Sequence, residues 1–148
     1  MTKINIRAKG AGGEREIIDA CEPIVRKVFE ANGIPHSYAH PVMQRNQNQT
    51  AVGGSDITNP FGLAIEVKRQ EALSINTWWA QCTKAAERNN EFPVLLYRQN
   101  GKKWKCVTLV WLKLPEGYKQ VRAEYSFEDF LQWFEVWVDQ KVKQNVKG

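Results

Sequence analysis

The chain has 148 residues, 43% of them hydrophobic and 25% charged, with six Trp and a formal charge of +5. This length and composition exclude a disordered chain and a disulfide-stapled miniprotein, and they fit one domain with a sizeable core. The positive balance favours a polyanionic partner, and no apolar run approaches membrane-spanning length.

The opening "MTKINIRAKG" lacks the apolar segment of a secretory signal, so a cytoplasmic protein is expected. Residues 1–12 read as a polar, mobile start. From Gly13, the residues Ile17, Ile18, Cys21, Val25, Val28 and Phe29 recur at helical spacing up to the stop signal Asn32-Gly33. Pro23 inside this run predicts a kink or break near Glu22. Residues 36–45 read as an irregular strand and 46–54 as a polar loop. Ser55–Asn59 and Leu63–Arg69 form a hairpin around Pro60-Phe61-Gly62. Ser74 is placed to cap a second helix whose buried stripe holds Ile75, Trp78, Trp79, Cys82, Ala85 and Ala86. Residues 93–98 and 104–112 are strands joined by Gln99-Asn100-Gly101. Ser126 and Asp129 make a capping box for a last helix ending near residue 140, and residues 141–148 read as a flexible end. The order α-β-β-β-α-β-β-α argues an α/β domain, a central mixed sheet flanked by helices. Cys21, Cys82 and Cys106 form no metal-like pair and read as reduced core thiols. His36 and His40 read as structural or surface groups.

The hairpin carries the chemistry. Pro60 presets the first turn dihedral and Gly62 takes the left-handed position. In the resulting register Ile57 faces Ile65 and Asp56 faces Glu66. Lys68 shares the face of the two acids, while Ile57, Ile65 and Val67 lie on the other. Carboxylates this close repel and shift each other's pKa unless a divalent cation lies between them. Oxygen ligands without His or Cys suit Mg²⁺ or Mn²⁺. Such an ion activates water and clamps phosphate, and a neighbouring ammonium can stabilise charge on phosphorus. A two-residue turn would instead put the acids on opposite faces, as ordinary charges of a half-exposed hairpin.

Residues 9–16, "KGAGGERE", place Lys-Gly ahead of Glu-Arg at the first helix. With "GGSDI" and "AIEVK" following in order, the pattern resembles the archaeal-type Holliday junction resolvases of the PD-(D/E)xK nuclease superfamily. The likeness covers residues 1–90 in arrangement and leaves the C-terminal third unmatched. It implies a restriction-endonuclease-like core and a Mg²⁺-dependent endodeoxyribonuclease, with Mn²⁺ as substitute and no small-molecule cofactor. The implied substrate is branched DNA, above all a Holliday junction, cut to leave a 5′-phosphate. It also implies Asp56, Glu66 and the Val67 carbonyl as metal ligands, Lys68 as the motif lysine, and Glu14 as the first-helix acid that reaches the metal. By spacing, Glu14 lies one turn before Ile17 and Ile18 and can point toward the sheet; a first-turn Glu favoured by the helix dipole fits the same position. Ser55 stands where the motif has Pro, and neither Ser55 nor Thr50 sits where the archaeal enzymes keep a catalytic Ser. A nuclease for linear, nicked or single-stranded DNA, and a non-catalytic DNA-binding module, remain the alternatives. The small, basic, stand-alone format suits a phage protein.

Gln81, Lys84 and Arg88 recur along one edge of the second helix, placed to touch backbone phosphates or simply to face solvent. Lys3, Lys9, Arg15, Arg45 and Arg69 surround the motifs in sequence and would form a positive surface for a duplex, with Ser55 as a further contact. The last helix, "FEDFLQWFEVWVDQ", is apolar on more than one stripe. That suggests a homodimer interface, unless helix one and the first strands cover it within the chain.

Overall fold

The computed structural model describes residues 6–46 and 55–146, with side chains from residue 12 to 145 within that span. Helix α1 (Ile6–Ala31) is followed by strands β1 (Gln44–Arg45), β2 (Ile57–Thr58) and β3 (Leu63–Arg69), then helix α2 (Ile75–Asn89). Strands β4 (Phe92–Arg98), β5 (Lys105–Leu114) and β6 (Gly117–Ser126) precede helix α3 (Phe127–Val146). The six strands form one sheet in chain order. All neighbours are antiparallel except β3 and β4, which run parallel and are joined by α2 as the crossover. The α/β class and the flanked mixed sheet are therefore as the sequence suggested.

Alternation along β3 divides the layers. Leu63, Ile65 and Val67 bury against Ile17, Cys21 and Val25 of α1 and Phe130, Phe134 and Val138 of α3. On the opposite face Leu95, Tyr97 and Val107 pack against Trp78 and Cys82 of α2. At about 25 cal/mol per Å² of apolar surface, each such buried aliphatic side chain contributes roughly 1.5–3 kcal/mol. No described helix is long and apolar enough to cross a membrane.

Several elements differ from expectation. Helix α1 starts at Ile6 rather than Gly13, so residues 6–12 are helical. It also runs unbroken through Pro23, because the ring faces solvent while Cys21, Val25 and Val28 bury the turns on either side. The strand over residues 36–45 shrinks to Gln44–Arg45. The N–H groups of Val42 and Met43 donate instead to the buried Glu22 carboxylate, at 2.5 and 3.1 Å, and Pro41 has none to offer. Ser74 occupies the N-cap of α2 but its hydroxyl makes no capping bond. Ser126 does cap α3, accepting from the Asp129 N–H at 3.1 Å. Helix α3 passes residue 140 to Val146 because Val138 and Val142 continue its buried stripe. The sixth strand, β6, is new. It returns from β5 through a two-residue turn that pairs Leu114 with Gly117, whose φ of +133° suits glycine.

The apolar surplus of α3 is largely covered within the chain. Phe92 stacks on Trp133 and packs at a tilt on Trp137, and the Trp137 indole donates to the Phe61 carbonyl at 2.8 Å. Among the described large apolar side chains of α3, Val136 is the exposed one. Contacts within the chain thus take up much of this surface, from β4 and the β2–β3 turn as well as from α1.

Candidate active site

Asn59 and Gly62 set the hairpin. Gly62 has φ +75°, in the left-handed region where a Cβ is strained. Asn59 Oδ1 accepts from the N–H groups of Phe61 and Leu63, and its amide donates back to the Leu63 carbonyl. Ile57 then faces Ile65, as the Pro-Phe-Gly turn predicts. The Asp56 N–H continues the ladder, donating to the Ile65 carbonyl at 2.9 Å, so Asp56 comes level with Glu66. Beyond it strand pairing stops, and the Val67 N–H donates to Asp56 Oδ2 at 2.8 Å.

Glu66 is 8% exposed. Its carboxyl is pushed up to about 8, first by burial, then by the Asp56 charge and the hydrogen bond the two acids share. Burial also raises Asp56, opposed by the Val67 N–H and by the bond from Glu66, so the two acids titrate as a pair with both pushed up. Lys68, half-buried, draws both acids the other way by its charge. The pair also reaches Cys82, whose thiol burial and the Glu66 charge push up to about 12.

Glu14 arrives from α1. It lies well inside the helix, not in its first turn, which removes the helix-dipole explanation. It is 5% exposed, and Arg45 Nε donates to its Oε2 at 2.8 Å. Its charge contributes to raising both Asp56 and Glu66. The preceding Gly13 lets α1 approach β3: a Cβ there would lie 3.2 Å from Trp104 Cη2 and 3.4 Å from Val67 Cγ1. Among the described residues no three His, Cys, Asp or Glu side chains form a ready-made metal cluster. Asp56, Glu66 and Lys68 thus come together, while Glu14 stands at one remove on Arg45.

The residues proposed for DNA contact scatter. Arg45 is held by Glu14, and Arg69 by Glu16 at 3.1 Å. Ser55 is buried, its hydroxyl turned to the Ile57 carbonyl at 3.4 Å. Arg15 on α1 and Gln81, Lys84 and Arg88 on α2 are exposed. Thr50 and Lys3, and the side chain of Lys9, lie outside the described residues.

Sequence reasoning passed over Glu16. Its carboxylate accepts from Arg69, from Arg98 at 3.0 Å and from the Trp104 indole at 2.8 Å. Arg69 and Arg98 are register partners on the parallel strands β3 and β4. Two guanidinium groups side by side require an acid, and that was the available signal. Glu16 thereby ties α1 to the sheet two residues after Glu14.

A family model described as "Phage putative PDDEXK endonuclease" matches residues 5–144. A search of curated proteins finds no match. Among solved structures, the Holliday junction resolvase Hjc of Archaeoglobus fulgidus aligns with 84% of this chain and 96% of its own, at 16% identity and a TM-score of 0.47.

Proposed function

The chain belongs to this family of phage PD-(D/E)xK endonucleases, and from that premise we propose that it hydrolyses phosphodiesters in branched DNA, with a four-way junction as preferred substrate. The observation that carries this reading is the Asp56–Glu66 pair, a buried and a half-buried acid facing each other with Lys68 beside them.

The donor set fits a hard divalent cation, Mg²⁺ or in its place Mn²⁺. Without one, Glu66 keeps its proton to about pH 8. Asp56, Glu66 and the Val67 carbonyl would hold the ion, and Glu14 would join by exchanging Arg45 for it. When bound, the ion supplies polarisation of the phosphate and a more acidic water. The chain does the rest. Asp56 is fixed by the Val67 N–H, so its carboxylate does not have to find its place when substrate binds. Lys68 brings an ammonium to the face where charge grows on phosphorus. Arg15, Gln81, Lys84 and Arg88 supply exposed polar and basic groups for the backbone; Lys9 would add to them, and Arg45, Ser55 and Arg69 would do so only on leaving Glu14, the Ile57 carbonyl and Glu16. Cutting both strands of a junction calls for two such sites, hence a homodimer, at work in the cytoplasm of an infected cell. The pairing of Glu14 with Arg45 favours a second reading, a DNA-binding module that has kept the fold without the reaction.

Cleavage of a synthetic four-way junction with Mg²⁺, beside flap, nicked and linear DNA, tests the proposal. Glu66→Ala should abolish cutting with the circular dichroism unchanged. An active Asp56→Ala variant rejects the site; equal rates on linear duplex reject the branched preference; binding without cutting selects the module.

A further inference from the structure

Strand β5 pairs with β4 only as far as Thr108, while its pairing with β6 continues to the Leu114–Gly117 turn. Residues 109–114 and 117–122 therefore form a two-stranded ribbon beyond the rest of the sheet. On its α2-side face Trp111 stands opposite Gln120, and Lys113 opposite Tyr118. Trp111 is 62% exposed and Tyr118 67%, the highest values among the large apolar side chains at the sheet. Isolated ribbons are marginal in water, so two aromatic rings on one are not there for the core.

We propose that this ribbon is a DNA-contacting arm that grips a second arm of the branched substrate, an inference that rests on the nuclease reading for its substrate. Charge selects the occupant. Across residues 109–122 the charged side chains are Lys113, Lys119 and Arg122 against Glu116. This surplus attracts a polyanion and repels a second copy of the same ribbon. A two-stranded ribbon fits the major groove, and exposed rings stack on base faces left bare where a branch point interrupts helical stacking. Position selects the arm. From Glu66 the row runs through Leu95 to Val107. Trp111 lies two strands across and four residues along, about 10 Å and about 13 Å away. Helix α2 packs on β3, β4 and Val107 of β5 on this face and stands between. A straight duplex seated at Asp56 and Glu66 would have to cross α2 to touch Trp111; the other arm of a branch would not.

The test is anisotropy titration of the full chain with labelled four-way junction and with linear duplex, in Ca²⁺ to support binding without cutting. Replacing Trp111 and Tyr118 together by Ala should weaken junction binding roughly tenfold or more and linear-duplex binding less than threefold, with the circular dichroism unchanged. Phe at both positions should restore most of the affinity. Lys113→Gln with Lys119→Gln should lower the slope of log affinity against log salt by about 2. Unchanged junction binding in the double Ala variant overturns the inference, as does a wild-type dimer that this variant turns into a monomer. If wild type cuts no DNA in Mg²⁺ but the junction-specific loss appears, the nuclease reading fails and the ribbon's role stands.

Discussion

Glu66→Gln should make the metal-free protein more stable while removing its ability to hold a cation. In the folded chain the Glu66 carboxyl titrates near 8 instead of the ordinary 4.5. Below 4.5 folded and unfolded chains both carry this proton, and its contribution is level. Between 4.5 and about 8 the folded chain keeps a proton that the unfolded chain has lost. Stability therefore falls with rising pH across that window. At roughly 1.4 kcal/mol per unit, the displacement from 4.5 to about 8 sets a ceiling of about 5 kcal/mol at pH 8. Gln keeps the shape, donates to Asp56 as the protonated acid does, and has nothing to titrate. The variant should match wild type near pH 4.5 and exceed it by at least about 2 kcal/mol at pH 8. Urea denaturation in EDTA at intervals from pH 4.5 to 8.5 reads this directly. Adding Mg²⁺ at pH 8 should then raise the wild type, by about 2.7 kcal/mol at a hundred times Kd, and leave the variant unmoved. Midpoints that superpose for the two proteins across the pH series refute the reasoning, because Glu66 would then be an ordinary solvated acid.

Lys68→Ala should keep metal binding, measured calorimetrically with Mn²⁺, and lower single-turnover cleavage by about a hundredfold or more. Glu16→Ala leaves Arg69, Arg98 and the Trp104 indole without their shared acceptor, and should cost about 2–4 kcal/mol in urea denaturation. Gly13→Leu pushes a side chain into Trp104 and Val67. A cost of about 1–3 kcal/mol is expected, together with loss of cleavage as α1 carries Glu14 away from β3.

Legibility followed burial. The β2–β3 hairpin was readable because its turn chemistry is local and a one-residue slip would turn Ile57 and Ile65 out of the core. The register, and with it the meeting of Asp56, Glu66 and Lys68, came from that constraint. Strand β6 was not readable, because most of its residues are exposed. An edge ribbon with no core face leaves little hydrophobic alternation to find. The short β1 failed for the opposite reason: Glu22, distant in sequence, takes the N–H groups that a strand would have used. Helix α1 was started too late because Gly10, Gly12 and Gly13 are poor helix formers, and the close approach of Gly13 to Trp104 is visible only in three dimensions. The placement of Glu14 on Arg45 is likewise a long-range pairing with no sequence signature.

The acids of this chain argue for function by their unequal treatment. Glu22 is buried, and receives the Val42 and Met43 N–H groups and the His36 ring. Glu16 receives two guanidinium groups and an indole. Glu14 has Arg45. In each case the fold supplies donors to the acid, which is how a buried carboxylate is ordinarily made tolerable. At Asp56 and Glu66 the fold supplies one backbone N–H and the charge of Lys68, and otherwise points two acids at each other. A protein that places donors so fully around three carboxylates has the means to do so for the other two. Adding an arginine there would stabilise the chain and close the pair to any cation. On the proposed function that shortfall is what a divalent ion would fill, since its charge and oxygen preference match two facing carboxylates. If Asp56→Asn and Glu66→Gln each raise metal-free stability while Glu22→Gln lowers it, that contrast holds; if all three lower it alike, the pair is structural and the site argument collapses.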